Sequence, residues 1–524
     1  MSVAKSKGEW HSNLLANAGI ASTEEHRLAM TDTVIMPYEP VIGLEVHAEL
    51  ATNSKMFCAC AVVDNTVAPP NSAVCPVCSG MPGTLPVVNQ KAVEFGIRVA
   101  LALGCTVNPI SVFARKNYFY PDLPKGYQIS QYEQPLAENG RLVIQTSNGE
   151  PLRAIRIRRV HLEEDTGKLT HVEGGSLLDL NRAGVPLLEI VSEPDIHSAE
   201  EAVAYGEALR HILRYLEVNS GDMEKGVIRF EANVSVRPVL ADYQSAPLGT
   251  RTEVKNLNSF RALERAIVYE IERQSKILSE GGTVEQETLG WNEASERTYS
   301  QRSKEDAHDY RYFPEPDLPP LKVDEAWLTR VRAELPELPR AKFQRFVSEY
   351  GLSDLDAARL VEEKTTADYF EQAIENRKSK IVNPKLLANW MLGEMFGLMK
   401  TRGETADRLK VRPEALADLV GLVAGGEINQ ATGREVLAEM SENGRGAAEI
   451  VAARGLKQVS DAGFIAEIVH QTLEESPGEV AGYRSGKETV LNWLFGQVMK
   501  KAAGKANPQV VRAELERQLK GSQN

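Results

Sequence analysis

The chain has 524 residues, of which 42% are hydrophobic and 25% are charged, and its formal net charge at pH 7 is −13. This composition is that of an ordinary soluble globular protein, and the length predicts roughly two to four domains. The negative net charge argues against a protein that coats DNA, although it leaves room for a local basic groove that binds nucleic acid.

The first segment, residues 1–37, is polar and lacks clear periodicity, which predicts a mobile extension to which we assign no function. It also lacks the order of basic, apolar and small residues that marks a signal peptide. No apolar run in the chain reaches the length of a membrane span. We therefore expect a cytoplasmic protein that binds neither a membrane nor DNA.

Three later stretches alternate apolar residues with functional ones at period two, as half-buried β-strands do. Their functional faces carry Glu45, His47 and Glu49 (residues 41–50), Arg229, Glu231 and Asn233 (226–237), and Glu253 and Lys255 (251–255). A solvated antiparallel face would explain any one of these strands. Carboxylates interleaved with basic and amide side chains on all three strands favour a shared cavity instead.

Four of the five cysteines form two close pairs, Cys58-Ala-Cys60 and Cys75-Pro-Val-Cys78. In a reduced cytosol, two such pairs separated by a loop can converge on one zinc ion through four thiolates. Chance spacing and disulfides are the alternatives. We predict a zinc knuckle here, and we expect Cys105 to be a small packed residue after an apolar helix over residues 92–103.

A loop rich in aromatic, proline and polar residues is predicted over residues 116–131. Its candidate contact residues are Lys116, Tyr118, Tyr120, Lys125, Tyr127 and Gln128. Aromatic rings beside lysines could stack a base and hold the end of an RNA strand. The rings could equally serve packing within the loop, and the sequence does not separate these two readings.

Acidic residues recur in two further segments, with Glu163, Glu164 and Asp165 in residues 161–168 and Glu189 in a buried strand within residues 184–194. Three successive carboxylates would repel one another unless a cation lies among them. A surface acidic turn is the alternative for this motif taken alone. The apolar phase changes parity just before it, which predicts a bulge near Arg158 and Arg159.

The acidic residues together indicate magnesium, which takes oxygen ligands and keeps substrate phosphates in its coordination shell. Interleaved arginine and lysine would neutralise the oxygens of a transferring phosphoryl group. A phosphate-binding P-loop is not expected, since Gly482–Lys487 has its glycines one residue too close and Glu488 follows in place of Ser or Thr. The residues therefore indicate ATP chemistry without a P-loop.

The domain organisation follows from a change of periodicity. Strand patterns dominate up to the proline-rich segment 313–320, and helical patterns dominate after it. A charged segment at 375–380 precedes a further run of helices. The predicted divisions are 1–37 (extension), 38–320 (catalytic domain), 321–375 (helical connector) and 376–524 (helical tail).

Several motifs follow one another in a fixed order: Gly43-Leu-Glu-Val-His47, the two cysteine pairs, Gly80-Met-Pro-Gly-Thr-Leu-Pro86, residues 116–127, His161-Leu-Glu-Glu-Asp165, residues 310–317, Ala388-Asn-Trp390 and residues 496–505. From about residue 38 to the C-terminus, these motifs resemble those of the B subunit of the bacterial and organellar aspartyl/glutamyl-tRNA amidotransferases. The resemblance implies an α+β fold. A glutamine-synthetase-like antiparallel-sheet cradle domain with the zinc knuckle would precede an all-α connector and a YqeY-like tail that binds tRNA.

The resemblance also implies a reaction. ATP and Mg²⁺ would serve to phosphorylate the side-chain carboxyl of Glu or Asp mis-attached to tRNA-Gln or tRNA-Asn. Ammonia, released from glutamine by the amidase (the A subunit), would then displace phosphate, and the small C subunit would complete a heterotrimer. This chain lacks the amidase signature, because Gly174-Gly-Ser176 is followed by two leucines. A separate glutaminase partner is therefore expected.

Site residues are assigned one by one on the matching motifs. The expected catalytic residues are Glu45, His47, Glu164, Arg229, Glu231 and Lys255, and the expected cofactor-binding residues are Glu163, Glu189, Asn233 and Glu253. The expected metal ligands are Glu45, His47 and Glu164 for magnesium and the four paired cysteines for zinc. The loop over residues 116–128 is expected to face the tRNA end. Glu231 stands where the family commonly has Asp, so its side chain is one methylene longer.

Two other readings stay open from sequence. One is a non-enzymatic RNA-binding scaffold, in which the acidic strand faces would be idle. The other is a related archaeal subunit specific for Glu-tRNA, which carries an additional inserted domain for which this chain is short.

Overall fold

The computed structural model describes residues 38–146, 152–239, 247–302, 310–375, 383–457, 462–502 and 506–521. The predicted N-terminal extension, the charged segment 376–380 and Lys505 lie outside these ranges. Within them, no helix combines the length and the apolar character needed to cross a membrane.

Strands fill the first part of the chain. In the described residues they are β1 (Tyr38–Glu49), β2 (Thr106–Val107), β3 (Ile110–Ser111), β4 (Phe113–Asn117), β5 (Tyr127–Gln131), β6 (Ala137–Ile144), β7 (Arg153–Glu164), β8 (Lys168–Val172), β9 (Gly175–Asp179), β10 (Pro186–Ser192), β11 (Ile228–Pro238), β12 (Thr252–Leu257), β13 (Thr288–Asn292), β14 (Arg297–Arg302), β15 (Phe313–Pro314) and β16 (Leu321–Lys322). The three stretches of period-two alternation thus form β1, β11 and β12, as predicted.

Nine of these strands form one sheet in the order β14-β13-β12-β11-β1-β10-β7-β6-β2. All its neighbouring pairs are antiparallel except β12 and β13. The predicted bulge is confirmed, since Val191 pairs with Arg159 whereas Ser192 pairs with Ile157, which leaves Arg158 unpaired. The fold is therefore α+β with a largely antiparallel sheet, as predicted.

Helices form the rest of the fold. They are α1 (Gln90–Ala102), α2 (Ala199–Tyr215), α3 (Phe260–Ser279), α4 (Glu325–Ala333), α5 (Pro339–Tyr350), α6 (Asp354–Val361), α7 (Lys364–Glu375), α8 (Pro384–Trp390), α9 (Phe396–Arg402), α10 (Pro413–Ala424), α11 (Gln430–Asn443), α12 (Ala447–Arg454), α13 (Ala462–Glu475), α14 (Pro477–Arg484), α15 (Thr489–Lys501) and α16 (Pro508–Gly521), with a π-helical turn at Met391–Met395 and a 3₁₀ turn at Ala406–Arg408.

The helices α1, α2 and α3 cover the apolar side of the large sheet. Each begins after a residue whose side chain accepts a hydrogen bond from the first turn: Asn89, Ser198 and Ser259. Such caps stabilise a helix by about 1 kcal/mol each. On β1, the apolar residues Ile42, Leu44, Val46 and Ala48 are fully buried in the core that these helices share. Because side chains alternate along a strand, the functional residues of β1 must lie on the other side of the sheet.

A small sheet, β15-β4-β5, adjoins the large one. Residues 116–131 are predicted as a loop, but their two ends belong to β4 and β5, and only residues 118–126 form a connection. The predicted linker 313–320 also pairs, since Phe313 lies opposite Arg115. Arg115 makes two hydrogen bonds of 2.7 Å to the carboxylate of Glu315. The sequence did not predict these short strands, because their aromatic and proline residues are also typical of loops.

The buried apolar residues form three cores. The first reaches from Ile42 to Val331 and includes the large sheet, the second reaches from Phe346 to Val451, and the third from Ile465 to Leu519. The helix α4 packs on the first core, beyond the predicted boundary at 320. Helices on both sides of the predicted boundary near 375 share the second core. The four predicted divisions stay predictions.

Candidate active site

Five neighbouring strands place polar side chains on the uncovered side of the large sheet, which we call the acidic face. On β1, Glu45 lies opposite Glu231 of β11, and His47 lies between Arg229 of β11 and Glu189 of β10. Neighbouring strands are about 4.8 Å apart, so side chains on one face at paired positions meet. The acidic face comprises Glu45, His47, His161, Glu163, Glu189, Arg229, Glu231, Asn233, Glu253 and Lys255.

The first acidic cluster consists of His47, Glu163 and Glu189, whose ligand atoms all lie within 4.8 Å of one another. His47 Nε2 is 3.3 Å from Glu189 Oε2 and 3.8 Å from Glu163 Oε1. Behind them, His161 Nε2 lies 3.2 Å from Glu189 Oε2, and Ser130 Oγ donates a hydrogen bond of 3.1 Å to Glu163 Oε2. His161 and Ser130 thereby fix the orientation of the two carboxylates.

The charge state of this cluster follows from its neighbours. Burial by itself lowers the pKa of His47, but the hydrogen bond to Glu189 and the charges of Glu189, Glu231 and Glu163 raise that pKa to about 9. At neutral pH the imidazole therefore holds a second proton, which partly balances the carboxylates. A divalent cation that bound here through the imidazole would displace this proton.

The second acidic cluster consists of Glu45, Glu231 and Glu253, again with ligand atoms within 4.8 Å of one another. Asn233 Nδ2 donates a hydrogen bond of 2.9 Å to Glu45 Oε1. Lys255 Nζ donates one of 2.8 Å to Glu231 Oε2 and lies 3.3 Å from Glu253 Oε1. Lys255 thus contacts two of the three carboxylates, and Asn233 contacts the third.

Two opposing effects decide the pKa values in the second cluster. Burial and the charges of neighbouring carboxylates raise the pKa of Glu45. Burial also acts to raise the pKa of Glu231, but the ammonium of Lys255 and the charge of His47 lower it to about 2. Glu231 is therefore ionised at neutral pH, with its longer side chain engaged by Lys255.

Carboxylate oxygens are the donors that Mg²⁺ prefers, so both clusters fit a divalent cation. Of the residues predicted as magnesium ligands, Glu45 and His47 lie in different clusters, about 6.6 Å apart along the strand because each residue of a strand advances about 3.3 Å. Residues predicted for catalysis or cofactor binding complete both clusters. The arrangement offers two groups of candidate ligands, and both metal binding there and the assignment of individual ligands stay predictions.

Glu164, the third residue predicted as a magnesium ligand, lies apart from both clusters. Its carboxylate accepts hydrogen bonds from Lys125 Nζ at 2.5 Å and from the backbone N–H of Ile129 at 2.9 Å. The carbonyl oxygen of Glu164 accepts one from Gln128 Nε2 at 2.7 Å. Because consecutive side chains of a strand point to opposite faces, Glu164 faces β5 while its neighbour Glu163 faces the acidic face. Its position supports a role in holding β5 more than a role in binding metal.

Arg229 lies at the edge of the acidic face. Its guanidinium donates a hydrogen bond of 2.9 Å to Asp165 Oδ2, and Arg182 Nε approaches the same oxygen at 3.5 Å. Burial and the charge of Asp165 raise the pKa of the nearby Glu49 to about 8. Sequence reasoning gave no role to Asp165 or His161. The sequence did contain a clue, because residues 161, 163 and 165 alternate along one strand and so point to the same face.

The connection between β4 and β5, residues 118–126, displays two exposed rings. We call it the substrate loop after the role predicted for it from sequence. Phe119 and Tyr120 are 80% and 48% exposed, and of these only Tyr120 has a role predicted from sequence. Tyr118 packs edge-on against Tyr310, at 5.9 Å between ring centroids. Two exposed rings at the tip of a connection are available for stacking, which the aromatic run alone did not reveal.

The strand residues beside this loop are engaged elsewhere. Lys116 Nζ lies 4.9 Å from the ring centroid of Tyr310. Lys116 lies opposite Gln128 in the β4–β5 pair and so shares a face with Ser130, which contacts Glu163 of the first cluster. Burial acts to lower the pKa of Lys116, but the charges of Glu163 and other neighbours raise it. Tyr127 packs beneath the guanidinium of Arg115 at 4.2 Å. The structure therefore brings Lys116 to the acidic face, and it gives Tyr127 and the buried Gln128 packing contacts.

The four paired cysteines converge as predicted. Cys78 Sγ lies 3.5 Å from Cys58 Sγ and 3.7 Å from Cys75 Sγ, and all five cysteines are unbridged. A tetrahedral zinc with sulfurs at about 2.3 Å requires sulfur–sulfur distances of about 3.8 Å, so the cluster fits this ion. The hydrogen bond from Cys58 lowers the pKa of Cys78 to about 4. Cys105 is buried in the first core, as expected.

One cavity lies away from this chemistry. It encloses about 570 Å³ between β6, α2, α5 and α6, and none of the predicted site residues lines it. Its walls are mainly apolar, and it contains neither acidic cluster. The acidic face therefore remains the candidate site.

Known proteins similar to this chain cover most of its length. Residues 40–329 match the family model described as the GatB/GatE catalytic domain, and residues 368–519 match the one described as the GatB domain. A protein of Myxococcus xanthus is 52% identical over 487 residues, covering 93% of this chain and 99% of that protein. Relatives from Moorella thermoacetica (52% over 488 residues, 92% and 100%) and Persephonella marina (49% over 485 residues, 93% and 100%) are similar to the same extent. All three are named as the B subunit of an aspartyl/glutamyl-tRNA(Asn/Gln) amidotransferase.

Proposed function

Because the chain belongs to the family of aspartyl/glutamyl-tRNA(Asn/Gln) amidotransferase B subunits, we propose that it is the ATP-dependent subunit of a tRNA-dependent amidotransferase, a ligase that forms carbon–nitrogen bonds. Its substrate is Glu or Asp mischarged on tRNA-Gln or tRNA-Asn. The products are Gln-tRNA(Gln) or Asn-tRNA(Asn). The nitrogen comes from glutamine through a partner amidase, and a small third subunit completes the complex.

The observation that carries this proposal is the pair of acidic clusters on one strand face, flanked by cations. The first cluster has Lys116 beside it, and the second has Lys255 within hydrogen-bonding distance of Glu231. A binding scaffold for RNA would gain nothing from buried carboxylates held this close together, because their repulsion destabilises the fold unless a cation compensates it. The arrangement suits the binding of ATP with Mg²⁺.

The chemistry requires activation of a carboxylate, whose leaving group would otherwise be oxide. A carboxylate oxygen of the mischarged residue attacks the γ-phosphorus of ATP, and the bond from that phosphorus to the β–γ bridging oxygen breaks to release ADP. Ammonia then attacks the acyl carbon, and inorganic phosphate leaves with the electrons of its carbon–oxygen bond to give the amide. Magnesium held by the two clusters would supply charge neutralisation of the ATP phosphates.

The residues of this chain contribute orientation and charge. Lys116 beside the first cluster and Lys255 in the second would contact phosphoryl oxygens of ATP. Arg229, on the same face of the sheet, would add a third positive charge. His161 holds Glu189 from behind. The exposed rings of Phe119 and Tyr120 are placed to stack on bases at the tRNA end. Carboxylates repel the phosphates of ATP, so a cation bound between them would couple ATP binding to the metal.

A reconstituted complex tests the proposal. The chain, combined with its amidase and small-subunit partners, is incubated with γ-labelled ATP, magnesium, glutamine and either Glu-tRNA(Gln) or Asp-tRNA(Asn). We expect phosphate release and amide formation only with a mischarged tRNA, with correctly charged Gln-tRNA(Gln) as the control. Amide formation without ATP consumption would contradict the proposal. The two mischarged tRNAs compared side by side identify which one is the better substrate.

A further inference from the structure

We propose that the zinc knuckle sets the position of the substrate loop against the acidic face, with Gly80 and Lys55 as positioning residues. This inference rests on the proposed function in one respect, namely that the substrate loop contacts the tRNA end. The knuckle is defined here as Cys58–Gly80. The alternative is that the knuckle stabilises only its own segment of the fold.

The first contact joins the end of the knuckle to the substrate loop. Gly80 has φ of +66°, and a Cβ atom there would lie 2.8 Å from the backbone N of Lys125 and 2.9 Å from the carbonyl carbon of Pro124. The two backbones therefore touch with no room for a side chain. The N–H of Gly80 donates to the carbonyl of Val77, inside the Cys75–Cys78 turn, at 3.1 Å. The turn that would hold the metal thus also fixes the residue that touches the loop.

The touched residue is the one that fastens the loop to the sheet. Lys125 donates to Glu164 at the end of β7, and the side chains of Lys125 and Glu164 are only 15% and 4% exposed. In the middle of the loop, the carbonyl of Asp122 accepts a hydrogen bond of 2.9 Å from the N–H of Gly167, which follows β7. Glu163 of the first acidic cluster directly precedes Glu164. A shift of Lys125 would therefore displace Glu164 and, through the backbone, its neighbour Glu163.

The second contact lies on the other side of the knuckle. Lys55 is fully buried, and its Nζ lies 3.4 Å from Cys78 Sγ, 2.8 Å from the carbonyl of Ala73 and 3.1 Å from the carbonyl of Leu180. In the described residues it makes no ion pair with a carboxylate, so its partners are the Cys78 sulfur and two carbonyl oxygens. A buried ammonium requires such compensation. Four thiolates around one Zn²⁺ carry a net negative charge, which Lys55 would offset.

Backbone hydrogen bonds join the segment just before the knuckle to the segment after β7. The N–H of Met56 donates to the carbonyl of Gly184 at 2.7 Å, and the N–H of Gly184 donates to the carbonyl of Asp165 at 2.9 Å. The knuckle is thereby fixed between the segment after β7 on one side and Lys125 on the other. Occupancy of the four-cysteine site would determine how firmly the loop and the strand are held together.

The test compares two glycine substitutions in one motif. Gly80 and Gly83 both have positive φ, but a Cβ atom at Gly83 would meet nothing within 4 Å. Gly80→Ala and Gly83→Ala therefore carry similar backbone strain, and only the first displaces Lys125. In the reconstituted complex we expect Gly80→Ala to raise KM for mischarged tRNA roughly tenfold to a hundredfold, with KM for ATP and the zinc content unchanged. Gly83→Ala should match the wild type. Equal KM values for the two variants would overturn the proposal.

A second measurement does not depend on catalysis. Hydrogen exchange of the backbone amides in residues 116–131 is followed in the full chain with zinc bound and after removal of zinc by a chelator. We expect faster exchange without zinc, and Lys55→Met should show the same acceleration with weaker zinc retention, while Lys55→Arg should restore part of both. Unchanged exchange on zinc removal would overturn the coupling. Should the complex fail to amidate either tRNA while exchange still responds to zinc, the proposed function fails and the coupling stands.

Discussion

At the scale of single residues, three consecutive carboxylates illustrate how neighbours in sequence separate in function. Glu163 joins His47 and Glu189, Glu164 holds the substrate loop, and Asp165 binds Arg229. The expected mutual repulsion is relieved by a different partner for each residue. Alternation along a strand produces this division, because the middle residue points to the opposite face from its two neighbours.

A metal-ligand substitution tests the second cluster. Glu45→Gln keeps the shape of the side chain and removes a negative charge from a group of three carboxylates. We expect it to fold normally and to lower ATP-dependent phosphorylation of mischarged tRNA by about 10- to 100-fold, the range typical for loss of a group that supports a metal site. Labelled phosphate release measures the effect.

Glu39→Gln provides the matched control for that substitution. Glu39 lies on the same strand and face but pairs with Arg237 at 2.8 Å, outside both clusters. Its substitution should change the phosphorylation rate less than twofold. Wild-type rates in Glu45→Gln would show that the cation sites lie elsewhere.

Thiol substitution tests the metal at the knuckle. Cys78→Ser removes one of four converging sulfurs, so zinc content should fall from about one ion per chain and local folding should weaken, because the binding energy of a closed site is folding energy. Cys105→Ser removes a buried thiol from the first core and should retain zinc. Metal analysis of both variants decides the matter. A wild-type chain without zinc and with four titratable thiols would contradict the assignment.

At the scale of structural elements, the β4–β5 hairpin supplies residues that the large sheet does not itself bring to the acidic face. It brings Lys116 toward the first cluster, it supplies Ser130 to Glu163, and it carries the substrate loop at its tip. The hairpin is attached to β7 through the ion pair between Lys125 and Glu164. That pair is therefore the element-scale contact with the largest expected effect.

A double-mutant cycle measures this contact. Lys125→Met or Glu164→Gln alone leaves the other buried group without its partner, and each should lower the free energy of unfolding by about 3 to 5 kcal/mol. The double variant should lose much less than the sum. Denaturant unfolding of the four proteins gives the coupling. Additive losses would mean that the ion pair does not connect the hairpin to β7.

The exposed ring of the substrate loop can be tested separately. Phe119→Ala should raise KM for mischarged tRNA by a factor that corresponds to about 1 to 3 kcal/mol, the range measured for stacking of one base. KM for ATP should not change, because the ring lies outside both clusters. Phe119→Tyr, which keeps the aromatic face, should behave like the wild type. An equal loss in both variants would argue against stacking.

At the scale of the whole molecule, the three cores decide where the chain can be divided. A cut at the predicted boundary near 375 would separate helices that share the second core, since Phe370 and Leu387 both belong to it. A cut after residue 457 falls between the second and third cores. The third core alone, built from α13 to α16, is therefore the part of the tail that the chain can lose with the least damage to packing.

Truncation after residue 457 tests the role of the tail. We expect the shortened chain to fold and to retain ATP binding, while KM for mischarged tRNA rises and its dependence on salt becomes shallower, because basic contacts to phosphates are lost. The basic residues concerned include Lys487 and Lys500. Lys501 is already paired with Glu475 at 2.8 Å. Equal changes in KM for ATP and for tRNA would assign the tail a structural role alone.

The sequence by itself determined the strands β1, β11 and β12, the convergence of the four paired cysteines and the acidic strand faces. Period-two alternation fixes which side chains of β1 and β11 share a face, and the spacing of the cysteines fixes that they can meet. Both are local properties of the chain. The motifs also sufficed to recognise the family, which the comparisons confirm.

Only the tertiary structure decided how the faces combine. The register of β1 against β10 and β11 divides the acidic residues into two clusters, so that Glu45 and His47 separate although they are two residues apart. It also brought Lys125 of the substrate loop to Glu164 and paired Arg115 with Glu315, 200 positions away in sequence. Register and long-range pairing depend on contacts between segments distant along the chain, and no periodicity within one segment encodes them.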